Sequence, residues 1–195
     1  MEAHLNRPPN RPRNGWLPAS LVLALSLMGA TARAEVSGSP ARAGLALAAA
    51  AATAWAPDAE LVYLENDEPL DASGRSPRWG YLFRSATLGR ARVWSVRDGR
   101  IVTAEDLVLR FDAPPLPAGW LDSDAVLAAA EKAAAQAARR EGRGRLLTML
   151  LMRGAESGSD RDATTWTFIY GASGSAAFHV VVDAATGQVK RTWRS

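Results

Sequence analysis

Alternation of apolar and polar residues recurs along this chain and predicts short antiparallel strands. Because successive side chains of a strand point to opposite faces, an alternating segment places its apolar residues on one side. The segments 78–84 and 165–171 alternate most clearly, and each has three aromatic residues on one side: Trp79, Tyr81 and Phe83, and Trp166, Phe168 and Tyr170. Further strands are predicted at 60–65, 90–96, 100–103, 145–153, 176–183 and 188–193.

Two alanine-rich segments lack this alternation and predict helices. Alanine has the highest helix propensity, and residues 41–56 form an alanine-rich run that ends before Pro57. The second predicted helix, 124–140, begins in a cluster of Asp and Ser residues that favours helix N-termini. It ends before Gly142, a residue type that commonly terminates helices.

A helix followed by strands occurs twice in this order of elements, and the aromatic strands 78–84 and 165–171 occupy corresponding places. We therefore predict an α+β fold in which an antiparallel sheet is packed by two main helices. The fold would consist of two helix-plus-meander repeats, 41–104 and 122–195, joined by the proline-rich connector 105–121. The alternative is one continuous sheet with two helices, in which the similarity of the halves is accidental.

The first 34 residues have the pattern of a secretory signal peptide. Residues 1–16 are polar and basic, residues 17–30 are mostly apolar, and Ala32-Arg33-Ala34 has the small residues of a cleavage site. The apolar stretch is shorter than the roughly 20 residues that a membrane-spanning helix needs. We therefore predict cleavage after Ala34, a linker at 35–40, and a periplasmic or secreted protein with no stable membrane span after cleavage. An uncleaved membrane anchor is the alternative.

Charge and cysteine content narrow the classes of function. Four of the 23 basic residues but only one of the 20 acidic residues fall within residues 1–34, so the remainder of the chain is formally neutral. This balance removes the electrostatic argument for a nucleic-acid partner. The chain has no cysteine, which excludes disulfides, thiolate metal sites and a cysteine nucleophile.

The end of the chain carries a motif that is typical of one family. Three valines precede a turn sequence, so that the segment reads Val180-Val181-Val182-Asp183-Ala184-Ala185-Thr186-Gly187-Gln188-Val189. Together with the helix and strands before it, this segment resembles the PepSY domain, and the first half is similar to that family only in layout. The resemblance implies an envelope-facing binding or peptidase-regulating module without catalytic machinery. An envelope protein or peptide is then the expected partner.

The side chains needed for common catalytic and metal sites are scarce. His179 is the single histidine outside the predicted leader, and alternation places it on a sheet surface opposite Phe178 and Val180. An acidic loop, formed by Glu65, Asp67, Glu68 and Asp71, lacks the order of ligands of an EF-hand and is interpreted as a solvated loop. We therefore predict a protein that is not an enzyme, with no catalytic, cofactor-binding or metal-binding residues and no cofactor.

Aromatic residues are the remaining candidates for function. Core packing is the first interpretation of the two aromatic strands, and an exposed aromatic face that binds a peptide or an apolar ligand is the alternative. This candidate binding face consists of Trp79, Tyr81, Phe83, Trp166, Phe168 and Tyr170. The leading hypothesis is an exported, non-catalytic binding or regulatory module of the bacterial envelope. The alternatives are a carrier of apolar small molecules or lipids, and an envelope hydrolase that uses carboxylates.

Overall fold

Eight strands form one antiparallel sheet in the computed structural model. They are β1 (Glu60–Asn66), β2 (Arg78–Ser85), β3 (Arg90–Arg97), β4 (Arg100–Asp106), β5 (Arg145–Arg153), β6 (Thr164–Gly171), β7 (Phe178–Asp183) and β8 (Val189–Arg194). The structure describes residues 38–107, 113–139, 144–154, 162–171 and 176–195, with the backbone alone for 132–139. Residues 1–34, the predicted signal peptide, and residues 35–37 of the predicted linker lie outside these ranges.

The order of strands across the sheet is β4-β3-β2-β1-β5-β6-β7-β8. Neighbouring strands within β1–β4 and within β5–β8 follow each other in sequence, so each group is a four-stranded meander. The two meanders meet where β1 pairs antiparallel with β5, with Leu64 opposite Leu151. All eight predicted strands are therefore present, and they form the continuous sheet that was the alternative to two helix-packed halves.

The predicted fold class, with two main helices packing the sheet in two repeats, is wrong. A short 3-10 helix, Ala41–Gly44, leads into α1 (Leu45–Trp55), and α2 is Ser123–Arg139. The fold is mostly sheet, and α1 buries only Ala48 and Ala52. Because a methyl side chain contributes little apolar area, an alanine-rich helix covers less of a sheet than its length indicates. The sequence pattern shows helix propensity, which does not determine how much of the sheet a helix covers.

Aromatic rings from both meanders meet in the core on the face of the sheet that the helices cover. The rings of Trp79 and Trp166 contact each other edge to face with centroids 6.3 Å apart, and Trp120 lies 5.9 Å from Trp166 in the same manner. Both strand tryptophans donate to backbone carbonyls, Trp79 Nε1 to Ser39 O at 2.8 Å and Trp166 Nε1 to Leu121 O at 3.0 Å. These hydrogen bonds satisfy the only polar group of each buried indole.

The beginnings of the two helical segments are bonded to each other. The backbone N–H of Ala41 donates to Ser123 Oγ at 3.1 Å, and the N–H of Arg42 donates to Asp122 Oδ1 at 3.0 Å. The Arg42 guanidinium lies 3.6 Å above the Trp120 ring and donates to the Trp120 carbonyl oxygen at 2.6 Å. The chain entering α1 and the chain entering α2 are thus held at one place in the core.

The segments predicted as linker and connector take part in the fold where they are described. Ser39 and Ser76 exchange two backbone hydrogen bonds, of 2.9 and 3.1 Å, so residues 38–40 are part of the folded structure. Residues 105–106, predicted as the start of the connector, belong to β4. Further along the connector, Leu116 N donates to Leu61 O at 2.8 Å. The predicted connector is therefore attached to the sheet at more than one place.

Candidate functional site

The six aromatic residues of the candidate binding face lie in the core. Their exposed fractions are at most 7%, and they pack with the buried side chains of α1 and α2. Core packing, the first of the two interpretations, therefore describes Trp79, Tyr81, Phe83, Trp166 and Phe168. Tyr170 also belongs to the core, but it reaches the wall of a surface cavity.

His179 lies in an aromatic stack on the face of the sheet opposite that core. Its ring is parallel to the Trp193 ring, with a centroid distance of 4.6 Å and an interplanar angle of 6°. Its Nε2 atom is 3.0 Å from Ser195 Oγ. The guanidinium of Arg191 lies 4.8 Å from the centroid of the same Trp193 ring. His179 therefore has the sheet-surface position that strand alternation predicts, and it fixes the orientation of a neighbouring tryptophan.

Asp183, the acidic residue of the PepSY-like motif, holds a turn. Its Oδ1 atom accepts hydrogen bonds from the N–H groups of Ala185 and Thr186 and from the Thr186 hydroxyl, each at 3.0 Å. Burial raises the pKa of Asp183, but these hydrogen bonds and the nearby Lys190 lower it, so that the net pKa lies below its ordinary value. The carboxylate is thus ionised and occupied by the turn, which does not suit a general acid.

Asp58 has the same role at another turn. Its two carboxylate oxygens accept hydrogen bonds from Ser85 Oγ at 2.7 Å and from the N–H of Thr87 at 2.8 Å. These bonds lower the pKa of Asp58 to about 2. The carboxylate fixes the turn between β2 and β3 against the chain that leads into β1.

Arginines pair with two carboxylates of the acidic loop. Glu68 Oε2 lies 3.0 Å from Arg97 Nη2, and Asp67 Oδ2 lies 3.5 Å from Arg78 Nε. Within the described ranges, no group of three or more carboxylate or imidazole side chains is placed to hold a metal ion. The acidic loop therefore takes part in an ion-pair network beside the sheet.

An open groove lies between the β1–β2 loop and α2. It consists of two adjoining cavities of about 310 and 220 Å³, which share Ala72, Leu127 and Glu131. The larger cavity is also lined by Leu70, Asp71, Gly144, Arg145, Leu146 and Tyr170, and the smaller one by Ser73, Arg75, Asp124 and Ala128. We call these two cavities together the loop–helix groove.

The loop that forms one wall of the groove is shaped by Asp71. Its Oδ1 atom accepts from the N–H groups of Ser73 at 2.8 Å and Arg75 at 3.0 Å, and from the Ser73 hydroxyl at 2.7 Å. Burial raises the pKa of Asp71, but these hydrogen bonds and the Arg75 charge lower it, and the net pKa lies below its ordinary value. An aspartate that bonds its own following backbone is a common device for fixing a turn.

Close packing and one ion pair hold this loop against α2. Gly74 has a φ of 79°, and a Cβ at this position would lie 3.0 Å from Leu127 Cδ2 and 3.1 Å from Ser123 O. Glycine thus permits both the left-handed conformation and the close approach to α2. Arg75 Nη2 lies 2.9 Å from Asp124 Oδ2 in the first turn of α2. The wall is therefore fixed in place without a bound partner.

The groove combines an apolar floor with two exposed charges of opposite sign. Leu127 is buried beneath it, and Leu146 and Tyr170 contribute further apolar surface. Glu131 and Arg145 are exposed, and neither forms an ion pair or hydrogen bond within the part of the chain that the structure describes. Few polar groups above an apolar floor are typical of ligand-binding clefts.

Sequence reasoning did not identify this groove. Its walls come from segments that are far apart in the chain, since Arg75 and Asp124 are separated by 49 positions. The one local signal was Asp71 followed by Ser73 and Gly74, which indicates a tight and ordered loop. Such a signal predicts the loop but not the helix against which it packs.

Comparison with known proteins gives little further information. No family model matches this chain, and no curated protein matches it. The structure is similar to that of a "putative lipoprotein" from Clostridium difficile 630, with 11% identity, a TM-score of 0.46, and coverage of 73% of this chain and 87% of that chain. A likeness of this degree assigns neither a family nor a function. No helix in the described ranges combines the length and apolar composition that crossing a membrane requires.

Proposed function

We propose that this chain is an exported, non-catalytic binding module of the bacterial envelope that binds a short peptide segment in the loop–helix groove. The observation that carries this proposal is an apolar floor flanked by the charges of Glu131 and Arg145, neither of which is paired among the described residues. The loop wall is already ordered by Asp71 and by the Arg75–Asp124 ion pair, so binding requires little rearrangement.

The chemistry of the groove favours a peptide with one apolar side chain between a cationic and an anionic group. A cation pairs with Glu131, an anion pairs with Arg145, and the apolar side chain covers Leu127 and Leu146. The larger cavity, of about 310 Å³, is at the lower end of the usual range for ligand sites, which runs from about 300 to 1,000 Å³. The occupant is therefore a few residues long.

The two alternative functions have less support from the same geometry. A hydrolase could not use the carboxyl groups of Asp58, Asp71 and Asp183 for proton transfer, because each of them holds a turn and has a lowered pKa. A lipid carrier would need space between helices and sheet, and rings such as Trp79 and Trp166 occupy that region. Regulation of a peptidase, which the PepSY resemblance implies, would be one use of a peptide groove.

The groove is tested by calorimetric titration with the hexapeptide Ala-Lys-Leu-Ala-Asp-Ala, blocked at both ends. Ala128→Phe adds a ring at an exposed position that lines the groove, and we expect it to weaken binding at least about tenfold, since each 1.4 kcal/mol is a factor of ten. Ala125→Phe changes an exposed position of the same helix outside the groove and should bind as the parent does. Equal affinity for both variants, or no binding by the parent, would contradict the proposal.

Export is tested separately by N-terminal sequencing of the protein from a fractionated bacterial host. Cleavage after Ala34 gives a mature chain that begins at Glu35 in the periplasmic or secreted fraction. A chain that retains residues 1–34 in the membrane fraction would support the uncleaved anchor instead.

A further inference from the structure

The outer edge of β4 is a second surface that could take a partner, and it lies apart from the loop–helix groove. Strand β4 ends the sheet, and among the described residues it pairs only with β3. None of its residues lines the groove. Its two large apolar side chains, Ile101 and Val102, have exposed fractions of 36% and 49%. An exposed apolar edge of this kind is a template for pairing with another strand.

Outward-pointing backbone groups lie near the end of β4. Leu107 N donates to Ala91 O at 2.9 Å, so the backbone of Leu107 points toward β3. In an antiparallel pair, alternate residues point their N–H and C=O groups toward the partner strand and away from it. The groups of Ala104 therefore point outward. Its carbonyl oxygen accepts from Arg92 Nη2 at 3.3 Å, while its N–H group has no partner among the described residues.

A second outward-pointing residue lies near the beginning of β4. Asp98 and Gly99, which connect β3 to β4, have φ values of 49° and 69°. Two positive φ values in succession are typical of a type I′ turn, in which the residue after the pair donates its N–H group back to the residue before it. Arg100 therefore points its backbone toward β3, and the backbone groups of Ile101 point outward.

A bulge in β4 gives these two outward-pointing residues an unusual spacing. Ile101 lies opposite Val96 and Ala104 lies opposite Trp94, and both Val96 and Trp94 are buried in the main core. Ile101 and Ala104 are therefore on the same face although they are three positions apart, because the register passes over Val102. A regular strand, in which outward groups recur at every second residue, does not match this spacing. A second β4 strand does.

The charges of β4 also complement those of a second β4 strand. Arg100 at its beginning and Glu105 near its end are exposed, and neither forms an ion pair or hydrogen bond within the described ranges. The remaining acidic residue, Asp106, is already paired with Arg90 and Arg92. When Ile101 of one copy lies opposite Ala104 of the other, Arg100 of each copy lies opposite Glu105 of the other. Opposite charges in this cross-strand position are stabilising.

We infer that two copies of this chain associate through their β4 edges, antiparallel, and form one continuous sheet with eight strands from each copy. About a two-fold axis perpendicular to the sheet, Ile101 exchanges backbone hydrogen bonds with the partner's Ala104, and Arg100 lies beside the partner's Glu105. A seven-residue edge buries less than the roughly 800 Å² per partner of a standard interface, so the association is weak and reversible. This inference does not depend on the loop–helix groove.

Sedimentation velocity measures the association of protein purified after expression of the full chain, at concentrations from about 5 to 500 μM, which suit a weak dimer. Ala104→Pro removes the outward-pointing N–H group and leaves the pairing of β4 with β3 intact, which is the placement that proline tolerates in an edge strand. At the other edge, Ser195 N donates to Ala177 O, so the N–H group of Thr192 points outward from β8 by the same alternation. Thr192→Pro is therefore the matched control. Circular dichroism verifies that both variants are folded.

Exchange of charges tests which residues are neighbours across the edge. Arg100→Glu alone and Glu105→Arg alone each place like charges opposite one another, and each should weaken association at least about fivefold. An equimolar mixture of these two variants should form a heterodimer, because every Glu of one chain then lies opposite an Arg of the other. The chain with both substitutions should associate as the parent does.

We expect the parent to dimerise with a Kd below about 500 μM. Ala104→Pro should weaken the dimer at least about tenfold, since each copy loses one hydrogen bond to the other, while Thr192→Pro leaves it unchanged. A parent that stays monomeric up to about 500 μM, or a dimer that Ala104→Pro leaves intact, would overturn the inference. A mixture of Arg100→Glu and Glu105→Arg that associates no better than either variant alone would also overturn it. Dimers that only Thr192→Pro abolishes would assign the contact to the β8 edge instead.

Discussion

Three carboxylates, those of Asp58, Asp71 and Asp183, close turns at different places in the fold. Each accepts hydrogen bonds from backbone N–H groups and from a serine or threonine hydroxyl within a few residues or across a neighbouring turn. Such bonds favour the ionised carboxylate, which is why all three pKa values are lowered. At the scale of the residue, these three acidic side chains therefore have a structural role.

Replacing Asp183 with Ala should lower the free energy of unfolding by about 1 to 2 kcal/mol, because three hydrogen bonds to the turn are lost. Urea denaturation followed by circular dichroism measures the change. Asp98→Asn is the matched control, since Asp98 is exposed in the β3–β4 turn and its φ of 49° suits asparagine. An unchanged urea midpoint in Asp183→Ala would contradict a stabilising role for the hydrogen bonds that Asp183 accepts.

Acid should destabilise the fold through the same groups. The folded pKa of Asp58, about 2, is below its ordinary value of 3.8, so its contribution is complete above pH 3.8 and is lost as the pH falls toward 2. Asp71 and Asp183 act in the same direction. Urea midpoints measured between pH 6 and 2 should therefore fall with pH, and Asp58→Asn should reduce the slope below pH 4. A slope identical to that of the parent would show that Asp58 does not contribute to the loss of stability in acid.

At the scale of the element, the residues of α1 that are completely buried are small, while Trp55 at its end contacts Trp94 of β3 edge to face. Ala48 and Ala52 are completely buried, whereas Ala50 on the same helix is exposed. Gly44, just before α1, lies so close to β2 and β3 that an added Cβ would be 2.7 Å from the Tyr81 hydroxyl and 2.8 Å from Val96 Cβ. The helix can therefore lie close to the sheet at these positions, because the residues there have almost no side chain.

Ala52→Leu should destabilise the protein by about 1 to 3 kcal/mol, because the added atoms have no space between α1 and the sheet. Ala50→Leu places the same side chain on the exposed side and should change stability by less than about 0.5 kcal/mol. Thermal unfolding of the two variants gives the comparison. Equal midpoints would show that α1 is not packed closely against the sheet.

The strands could be predicted from the sequence, whereas the extent to which the helices cover the sheet could not, and the reason is physical. The alternation of a strand such as β6 is visible in its own residues, because Trp166, Phe168 and Tyr170 are every second residue and lie on one side. The contribution of α1 depends instead on what its alanines face, and this is a property of the tertiary structure. The groove depends likewise on Gly74 and Arg75 meeting a helix almost fifty positions later.

At the scale of the whole molecule, the continuity of the sheet depends on the pairing of β1 with β5. The side chain of Asn66 extends this pairing beyond the backbone ladder, since its Oδ1 accepts from Met149 N at 2.7 Å and its Nδ2 donates to Leu147 O at 3.2 Å. A third bond, from Nδ2 to Glu68 O at 2.9 Å, holds the amide in place. One side chain therefore joins the two meanders where their strands begin to separate.

Asn66→Ala should lower the free energy of unfolding by about 1 to 3 kcal/mol, because a backbone N–H and two carbonyls lose their partner. Hydrogen exchange should speed up in both meanders, since the sheet is one cooperative unit. Thr53→Ala, which removes an exposed hydrogen bond within α1, is the control and should leave exchange in the sheet unchanged. Faster exchange confined to β5–β8 would indicate that the two meanders unfold independently.

The tryptophans give this protein an internal optical reporter. Trp79, Trp120 and Trp166 are buried, and Trp166 contacts both of the others edge to face, so their fluorescence arises from an apolar environment and excitation passes readily between neighbouring indoles. Unfolding should shift the emission to longer wavelength, because these indoles pass from an apolar environment into water. Trp193 and Trp55 are half-buried, so a soluble quencher reaches these two rings before the buried ones, and quenching therefore separates events at the surface of the fold from those in its core.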